Sequence, residues 1–300
     1  MLRQTTNNKQ QSKNKVQLSV VLATFNEEQN IGQCLESVKT LADEIVVVDG
    51  SSADRTRDIA DSYSAKVIKT ENHPIFHINK QKALEAAKGE WILQLDADER
   101  VSEELAGEIQ KVVRLGKDEL EEYQGKLPNK KLFIRHQKIV EHRDGVVGNQ
   151  DGDFTAFFIP RLNYFLGKYL RYGGVYPDGV IRLVKNGYAR FPAESVHEQI
   201  SVKGKVGWLS KPLIHIDSPS FSRYLERNNR YINLIRDELK KEKVGKSPVE
   251  FFNYFLVKPI GWFFLTQIRH KGILDGFPGI VFSFFSALRF PRAYWRYLND

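Results

Sequence analysis

The sequence predicts an α/β fold with a mainly parallel sheet flanked by helices, followed by a separate helical region. Three observations point there. Short apolar runs alternate with stretches of helical spacing over residues 16–100, as βαβ units require. Three acids, Asp49, Asp96 and Asp98, follow directly on such runs. From residue 221 onward the pattern turns helical and becomes rich in aromatics and cations.

Residues 1–15 are rich in Gln, Asn, Lys and Thr and hold few apolar side chains, so a disordered tail is expected. They lack the apolar core of a signal peptide, and the expected location is therefore cytoplasmic. Residues 18–23 form the first strand, closed by Thr24, Phe25, Asn26 and Glu27. Helical spacing follows through Ile31, Leu35 and Val38. Residues 45–48 are a second buried strand ending in Asp49, and Ser52 is the expected cap of a helix over 53–63. Residues 65–69 give a short third strand, and 78–87 a helix stopped by Gly89.

Residues 91–95 are then an apolar strand interrupted only by Gln94, and it delivers Asp96 and Asp98 to its C-terminal edge. Right-handed crossovers place the ends of all these strands on one side, where ligands of open α/β sheets bind. Two carboxylates one residue apart offer hard oxygen ligands to a divalent cation such as Mg²⁺ or Mn²⁺, which also takes substrate phosphates.

Composition narrows the class of partner. With 41% hydrophobic residues, the 300-residue chain can bury a substantial core. A single cysteine, Cys34, excludes an internal disulfide framework, and its place in a predicted helix suits packing. The net charge of +8 attracts something anionic: nucleic acid, a phospholipid surface or a phosphorylated substrate.

Three stretches carry a family resemblance: residues 22–27, residues 47–56 with Asp49, Gly50, Ser51, Ser52, Asp54 and Arg55, and residues 95–99 with Asp96, Asp98 and Glu99. In order, spacing and strand context they resemble the nucleotide-binding half of family 2 glycosyltransferases, which have the Rossmann-like GT-A fold. The resemblance implies inverting transfer of a sugar from a nucleoside-diphosphate sugar. It also implies that Thr24 and Glu27 lie beside the nucleotide and that Asp49 contacts its base or ribose. Asp96 would sit near the ribose and the metal, Asp98 would ligate the metal, and Lys82 falls where such proteins often face the nucleotide. The Gly-rich dinucleotide fingerprint and the P-loop are both absent, which argues against hydride transfer and NTP hydrolysis.

Ser102 is the expected cap of a helix over 102–115. Residues 117–153 are charged and irregular, with Gly, Pro and Asn punctuation, and read as an insertion or mobile loop near the acceptor. Residues 159–168, 172–178 and 181–187 resemble bacterial lipopolysaccharide-core-type members of the family, which often carry Trp where Val175 stands. This implies a glycan or glycolipid acceptor in cell-envelope polysaccharide or lipopolysaccharide synthesis. Within 196–199, the resemblance makes Glu198 the base that takes the acceptor hydroxyl's proton, with His197 structural. His215 ends a further strand where related enzymes can supply a third metal ligand. The GT-A domain is thus expected over 16–217.

Residues 218–300 are expected to be helical. Phe221, Tyr224, Leu225, Tyr231, Ile232 and Ile235 form an apolar stripe beside Arg223, Arg227 and Arg230. The apolar run over 251–268 is broken by Lys258 and Pro259, and that over 276–288 is short, so neither is expected to span a bilayer. Interleaved aromatics and cations fit helices lying in a membrane interface. From Lys246 onward, seven Lys/Arg less three Asp/Glu leave four positive charges for an anionic inner-membrane surface. Two other readings account for less. A sugar-nucleotide nucleotidyltransferase would need a Gly-rich, Arg/Lys-bearing loop after the first strand, unlike Thr24–Glu27. A non-catalytic nucleic-acid-binding module explains the charge but not the three strand-end acids, and no nucleic acid is expected as partner.

Overall fold

The structure, a computed structural model, describes residues 16–192 and 199–300. The expected tail over 1–15 therefore lies outside the described residues. In chain order the first half runs β1 (Leu18–Thr24), α1 (Ile31–Val38), β2 (Glu44–Asp49), α2 (Thr56–Ser62), β3 (Lys66–Lys69), α3 (His77–Ala86), β4 (Trp91–Leu95) and β5 (Glu99–Arg100). Three helices follow, α4 (Glu103–Val112), α5 (Lys117–Gly125) and α6 (Lys130–Asp144). Then come β6 (Phe154–Ile159), β7 (Arg161–Phe165), β8 (Lys168–Leu170), β9 (Val180–Lys185), β10 (Ala189–Arg190), β11 (Ser201–Val202), β12 (Lys205–Trp208) and β13 (Leu213–His215).

The main sheet has the order β12-β6-β9-β4-β1-β2-β3. β1 pairs in parallel with both β2 and β4, and β9 alone runs against its neighbours. These strands are Val/Ile/Leu-rich because helices cover both faces; Val20, Val21, Leu22, Val46, Val47, Val48, Leu93 and Leu95 are all fully buried. In the parallel register Thr24 stands opposite Asp49 and Leu22 opposite Leu95, so the strand ends that carry the three acids do share one edge. A second sheet, β5-β13-β7-β8, sets His215 opposite Glu99 and beside Asn163. Cys34 packs in the main core.

Two local expectations change. Residues 117–153, read as irregular, contain α5 and α6. Their apolar positions are sparse but well aimed: Leu127, Phe133 and Val140 enter the core beside Trp208, with Phe133 stacked on that indole at 4.7 Å. Ser52 does not cap α2, which begins only at Thr56; its hydroxyl instead accepts from the Asn26 N–H and donates to Asp49. Ser102 does cap α4, accepting from the Leu105 N–H.

The C-terminal region is mostly helical over its expected span, with breaks at 242–247 and 270–271. It comprises α7 (Phe221–Lys241), α8 (Pro248–Phe252), α9 (Lys258–Phe264), α10 (Gly276–Ala287) and α11 (Arg289–Asn299), with wider π-type turns after α8 and α9. It has its own core of Ile232, Leu239, Tyr254, Ala293 and Tyr294. α10 and α11 follow one another so closely that Gly272–Asn299 makes one helical run, long and apolar enough by length and composition to cross a bilayer. The apolar stretch over 276–288 is short alone; the residues flanking it in the same run bring it to that length.

Candidate functional site

A cleft of 1040 Å³ opens at the C-terminal edge of β1 and β4. Thr24, Glu27, Lys80, Asp96, Asp98 and His215 line one side, and α7 closes the other with Arg223, Arg227 and Arg230. The two aspartates of the Asp-x-Asp turn have different surroundings. Asp96 is clamped: Lys80 Nζ lies 2.6 Å from its Oδ1, and the Arg182 guanidinium bonds its Oδ2. Arg182 also donates to Gln94 Oε1 and to Glu99 Oε1, and Arg161 lies 3.5 Å from the same Glu99 oxygen. Among the described residues Asp98 has no such cation; it faces His215, whose Nε2 is 3.5 Å from Oδ2.

A chain of side chains fixes that histidine. Asn163 Nδ2 donates to Asp178 Oδ2 at 2.9 Å, and Arg161 holds the same oxygen at 2.8 Å. The amide is thereby oriented with Oδ1 toward His215 Nδ1, 2.6 Å away. With Nδ1 donating to Asn163, Nε2 is left facing Asp98: carrying a proton it bonds that carboxylate, and without one it offers the lone pair a metal ligand needs.

The electrostatics follow from these contacts. Burial pushes the Asp96 carboxyl up, but Arg182 and Lys80 outweigh it and hold it well below the usual carboxylate range. Burial also opposes ionisation of Asp98, and the neighbouring His215 overcomes it, so Asp98 is lowered too. Glu27 goes the other way: burial raises it, Asn30 opposes, and the charges of Asp98 and Asp96 add to the rise.

The sequence-predicted residues divide accordingly. Thr24, Glu27, Asp96, Asp98 and His215 come together on the cleft wall. Asp49 does not reach it. Its carboxylate is fully buried and accepts from Thr24 Oγ1 at 3.1 Å, the Ser52 N–H at 2.9 Å and Ser52 Oγ at 2.5 Å, so it shapes the β1 and β2 loops from beneath. Lys82 is also displaced from its expected role. It donates to Thr70 Oγ1 at 2.6 Å, while Lys80, two positions earlier on α3 and more than half a turn around it, is the lysine in the cleft. Glu198 and His197 lie outside the described residues.

The family model for glycosyl transferase family 2 matches residues 19–166. A glycosyltransferase of Rickettsia prowazekii is 35% identical over 291 residues, covering 92% of this chain and 86% of its own. The chain belongs to glycosyltransferase family 2. The lipopolysaccharide core biosynthesis glycosyltransferase LpsC of Rhizobium meliloti is 27% identical, with 92% of each chain covered. Among solved structures, the glucosyl-3-phosphoglycerate synthase of Mycobacterium tuberculosis, in complex with Mn²⁺, uridine diphosphate and glucosyl-3-phosphoglycerate, matches 28% of this chain and 34% of its own at 27% identity and a TM-score of 0.26.

In this glycosyltransferase the donor set can be tested against a divalent ion. Among the described residues no three His, Cys, Asp or Glu side chains gather as a ready ligand group. The expected trio of Asp96, Asp98 and His215 does not form, because Lys80 and Arg182 occupy both Asp96 oxygens. Asp98 and His215 do fit. With bonds of about 2.1 Å, adjacent ligands of an octahedral ion stand about 3 Å apart, close to the 3.5 Å observed between Oδ2 and Nε2. Ions of this class are held by one or two protein groups and complete their shell with phosphate and water.

The clamp itself, Lys80, Arg161, Arg182 and Glu99, was missed from sequence. Arg182 carried a signal: a lone cation in the apolar run Ile181, Leu183, Val184, and it is 6% exposed. Lys80 carried none, since the sequence cannot say which lysine of a polar helix faces inward.

Proposed function

We propose that this glycosyltransferase moves a sugar, with inversion, from a nucleoside-diphosphate sugar to a glycan or glycolipid acceptor of the cell envelope, using a divalent metal. The observation that carries the reading is the unequal pair of aspartates, one clamped by two cations and one left open beside His215. Asp98 and His215 would hold the ion, which neutralises the departing diphosphate. Arg223, Arg227 and Arg230 on the opposite wall suit the same anion. Thr24 and Glu27 would border the nucleotide, and Asp96 would act at its side through Lys80. In the transfer the acceptor oxygen bonds the anomeric carbon as the bond to the diphosphate breaks. The hydroxyl proton passes to a carboxylate, for which Glu198 is proposed.

The exposed apolar face of the C-terminal helices supports a membrane-bound acceptor. Ile268 is 70% exposed and Phe277 73%, with Phe252, Ile260, Phe264, Ile273, Leu274 and Phe284 also open to solvent. Lys258, Arg269 and Lys271 lie among them. The helices would rest in the interface of the inner face of the cell membrane, aromatic side down.

A nucleotide-sugar hydrolysis panel with Mg²⁺ and Mn²⁺, read as released nucleoside diphosphate, tests the reading. One donor should stand out, only with metal. Asp98→Asn should lose metal-dependent donor binding by more than about a hundredfold, since even residues behind a ligand cost 10- to 100-fold, while its unfolding curve stays that of wild type. Unchanged calorimetric affinity with Mn²⁺ refutes the metal site.

A further inference from the structure

A second cavity, of 350 Å³, adjoins the cleft and shares His215, Asp217, Arg227 and Tyr231 with it. Arg161 and Asn163 of β7 and the loop with Gly174 and Asp178 form one wall. Tyr224 of α7, Trp262, Phe282 of α10 and Arg289 of α11 form the other. Gly173 and Gly174, with φ of 68° and 80°, let that loop turn so that the Gly173 N–H bonds the His270 carbonyl at 2.8 Å, tying the two walls together.

The charges in the cavity do not cancel. Arg161 is matched by Asp178 at 2.8 Å, and Arg227 by Asp217. Arg289 has no carboxylate partner among the described residues; its Nε donates to Asn228 Oδ1 and its guanidinium lies 4.7 Å from the Tyr231 ring centroid. Three arginines against two aspartates leave one positive charge in excess. Two donors are also unmet. Tyr224 is 5% exposed and its hydroxyl, beside Arg289, donates to no acceptor among the described residues, and Arg161 Nε is buried and likewise unpaired among them. Buried polar groups are seldom left so, because the desolvation they suffer is not recovered. An excess cation and unmet donors, contributed by separate elements around one cavity, suit a ligand with several anionic oxygens.

We propose that this cavity binds a phosphoryl group of the acceptor, with Arg289 and Tyr224 as the residues that recognise it. The proposal rests on the reading of the chain as a sugar transferase with an amphiphilic acceptor. The shared wall lets one acceptor reach both spaces: its phosphoryl group against Arg289, its hydroxyl toward Asp98 and His215, its apolar part along Phe282 and Trp262.

Glycerol 3-phosphate, with glycerol as control, is titrated into the full chain while Trp262 and the other tryptophans report by fluorescence. Excess UDP or GDP with Mn²⁺ is present throughout to fill the donor cleft. Saturable binding of the phosphate ester alone is expected, weakened at least about tenfold in Arg289→Gln and in Tyr224→Phe, the loss of one hydrogen bond to a charged group. Tyr224→Phe keeps the ring that packs on Phe165 at 4.6 Å, so it guards against a folding artefact. No response from wild type with the donor cleft so filled, or wild-type affinity in both variants, overturns the proposal.

Vesicles of phosphatidylcholine with phosphatidic acid or with phosphatidylserine, matched in charge, name the source. An Arg289-dependent preference for phosphatidic acid makes it a lipid headgroup; Arg289-dependent glycerol phosphate binding without that preference makes it a soluble sugar phosphate. Either upholds the site. Absence of donor hydrolysis beside intact phosphate binding would count against the transferase reading alone.

Discussion

Two regions of the molecule hold arginines in ordered pairs, and they do it with different partners. On the cleft wall, Arg161 and Arg182 are held by the carboxylates of Asp178, Asp96 and Glu99. Between α7 and α11, Arg289, Arg292 and Arg296 are held by the amide oxygens of Asn228, Asn229 and Asn233, at 2.8 Å for Arg292 and 2.5 Å for Arg296. The spacing is helical on α11, so the three cations form one row facing α7. A carboxylate clamp cancels charge where burial makes an unpaired ion costly. An amide clamp orients the cation and leaves its charge in place. The first builds a rigid neutral wall behind the cleft; the second keeps a basic surface on a helix pair that carries exposed Tyr231, Leu234 and Trp295.

The largest expected effect tests whether the clamped acids are scaffold. If Asp96, Glu99 and Asp178 are committed to cations, the acceptor's proton goes to an acid outside the clamp. Glu198→Gln should then lower transfer about 10²- to 10⁴-fold with donor affinity kept. Turnover within a few fold of wild type, beside a dead Asp178→Asn, would move the base into the clamp and break the distinction.

Next in size is the stability contrast. Arg182→Met strands Asp96 and Glu99 without their shared cation and should cost about 3–5 kcal/mol in urea unfolding. Arg292→Met leaves only a neutral amide that water can reach, and about 1 kcal/mol is expected. Equal losses would mean that the two clamps are energetically alike.

This asymmetry also explains what was legible in the sequence. Strand-end acids can be read because period, length and crossover handedness force Thr24, Asp49, Asp96 and Asp98 to one edge. Which of them face a ligand cannot be read that way. Asp49 turned inward because Ser52 and Thr24 supply donors beneath it, and Lys80 rather than Lys82 entered the cleft because of where α3 docks. The clamp joins Lys80, the turn with Asp96 and Glu99, Arg161 and Arg182 from four separate segments, and such pairing depends on tertiary packing. α6 was missed for a related reason: only Phe133 and Val140 of its length are buried, too few to give a clear apolar stripe.

Acid separates the clamps further. Folding lowers the Asp96 and Asp178 carboxyls below their unfolded values, burial being outweighed by Arg182 and Lys80 for the first and by Arg161 for the second. Their contribution is therefore whole above about pH 4, the unfolded carboxylate value, and is lost as pH falls through the folded values. The amide clamp has no acid to titrate. Urea midpoints should hold from pH 7 to 5 and fall below about pH 4, less steeply in Arg182→Met. Parallel slopes for the variant and wild type would contradict the assignment.

The smallest effect is the most direct test of what the amide clamp is for. Asn229 accepts from both Arg292 and Arg296, at 2.8 and 3.3 Å, so Asn229→Asp turns an amide clamp into a carboxylate clamp without changing its shape. The partly buried ion pair should leave the unfolding midpoint equal or slightly raised. One positive charge is cancelled, however, and a basic residue near an anionic bilayer contributes about 1 kcal/mol. Binding to vesicles of phosphatidylglycerol in phosphatidylcholine should thus weaken about fivefold at low salt, with the difference fading as salt screens the surface. A chain stopped after Lys246 should lose vesicle binding altogether. If Asn229→Asp binds like wild type at every salt concentration, the row of arginines serves only to join α7 to α11, and the basic surface that matters for the membrane must be sought among Lys258, Arg269 and Lys271.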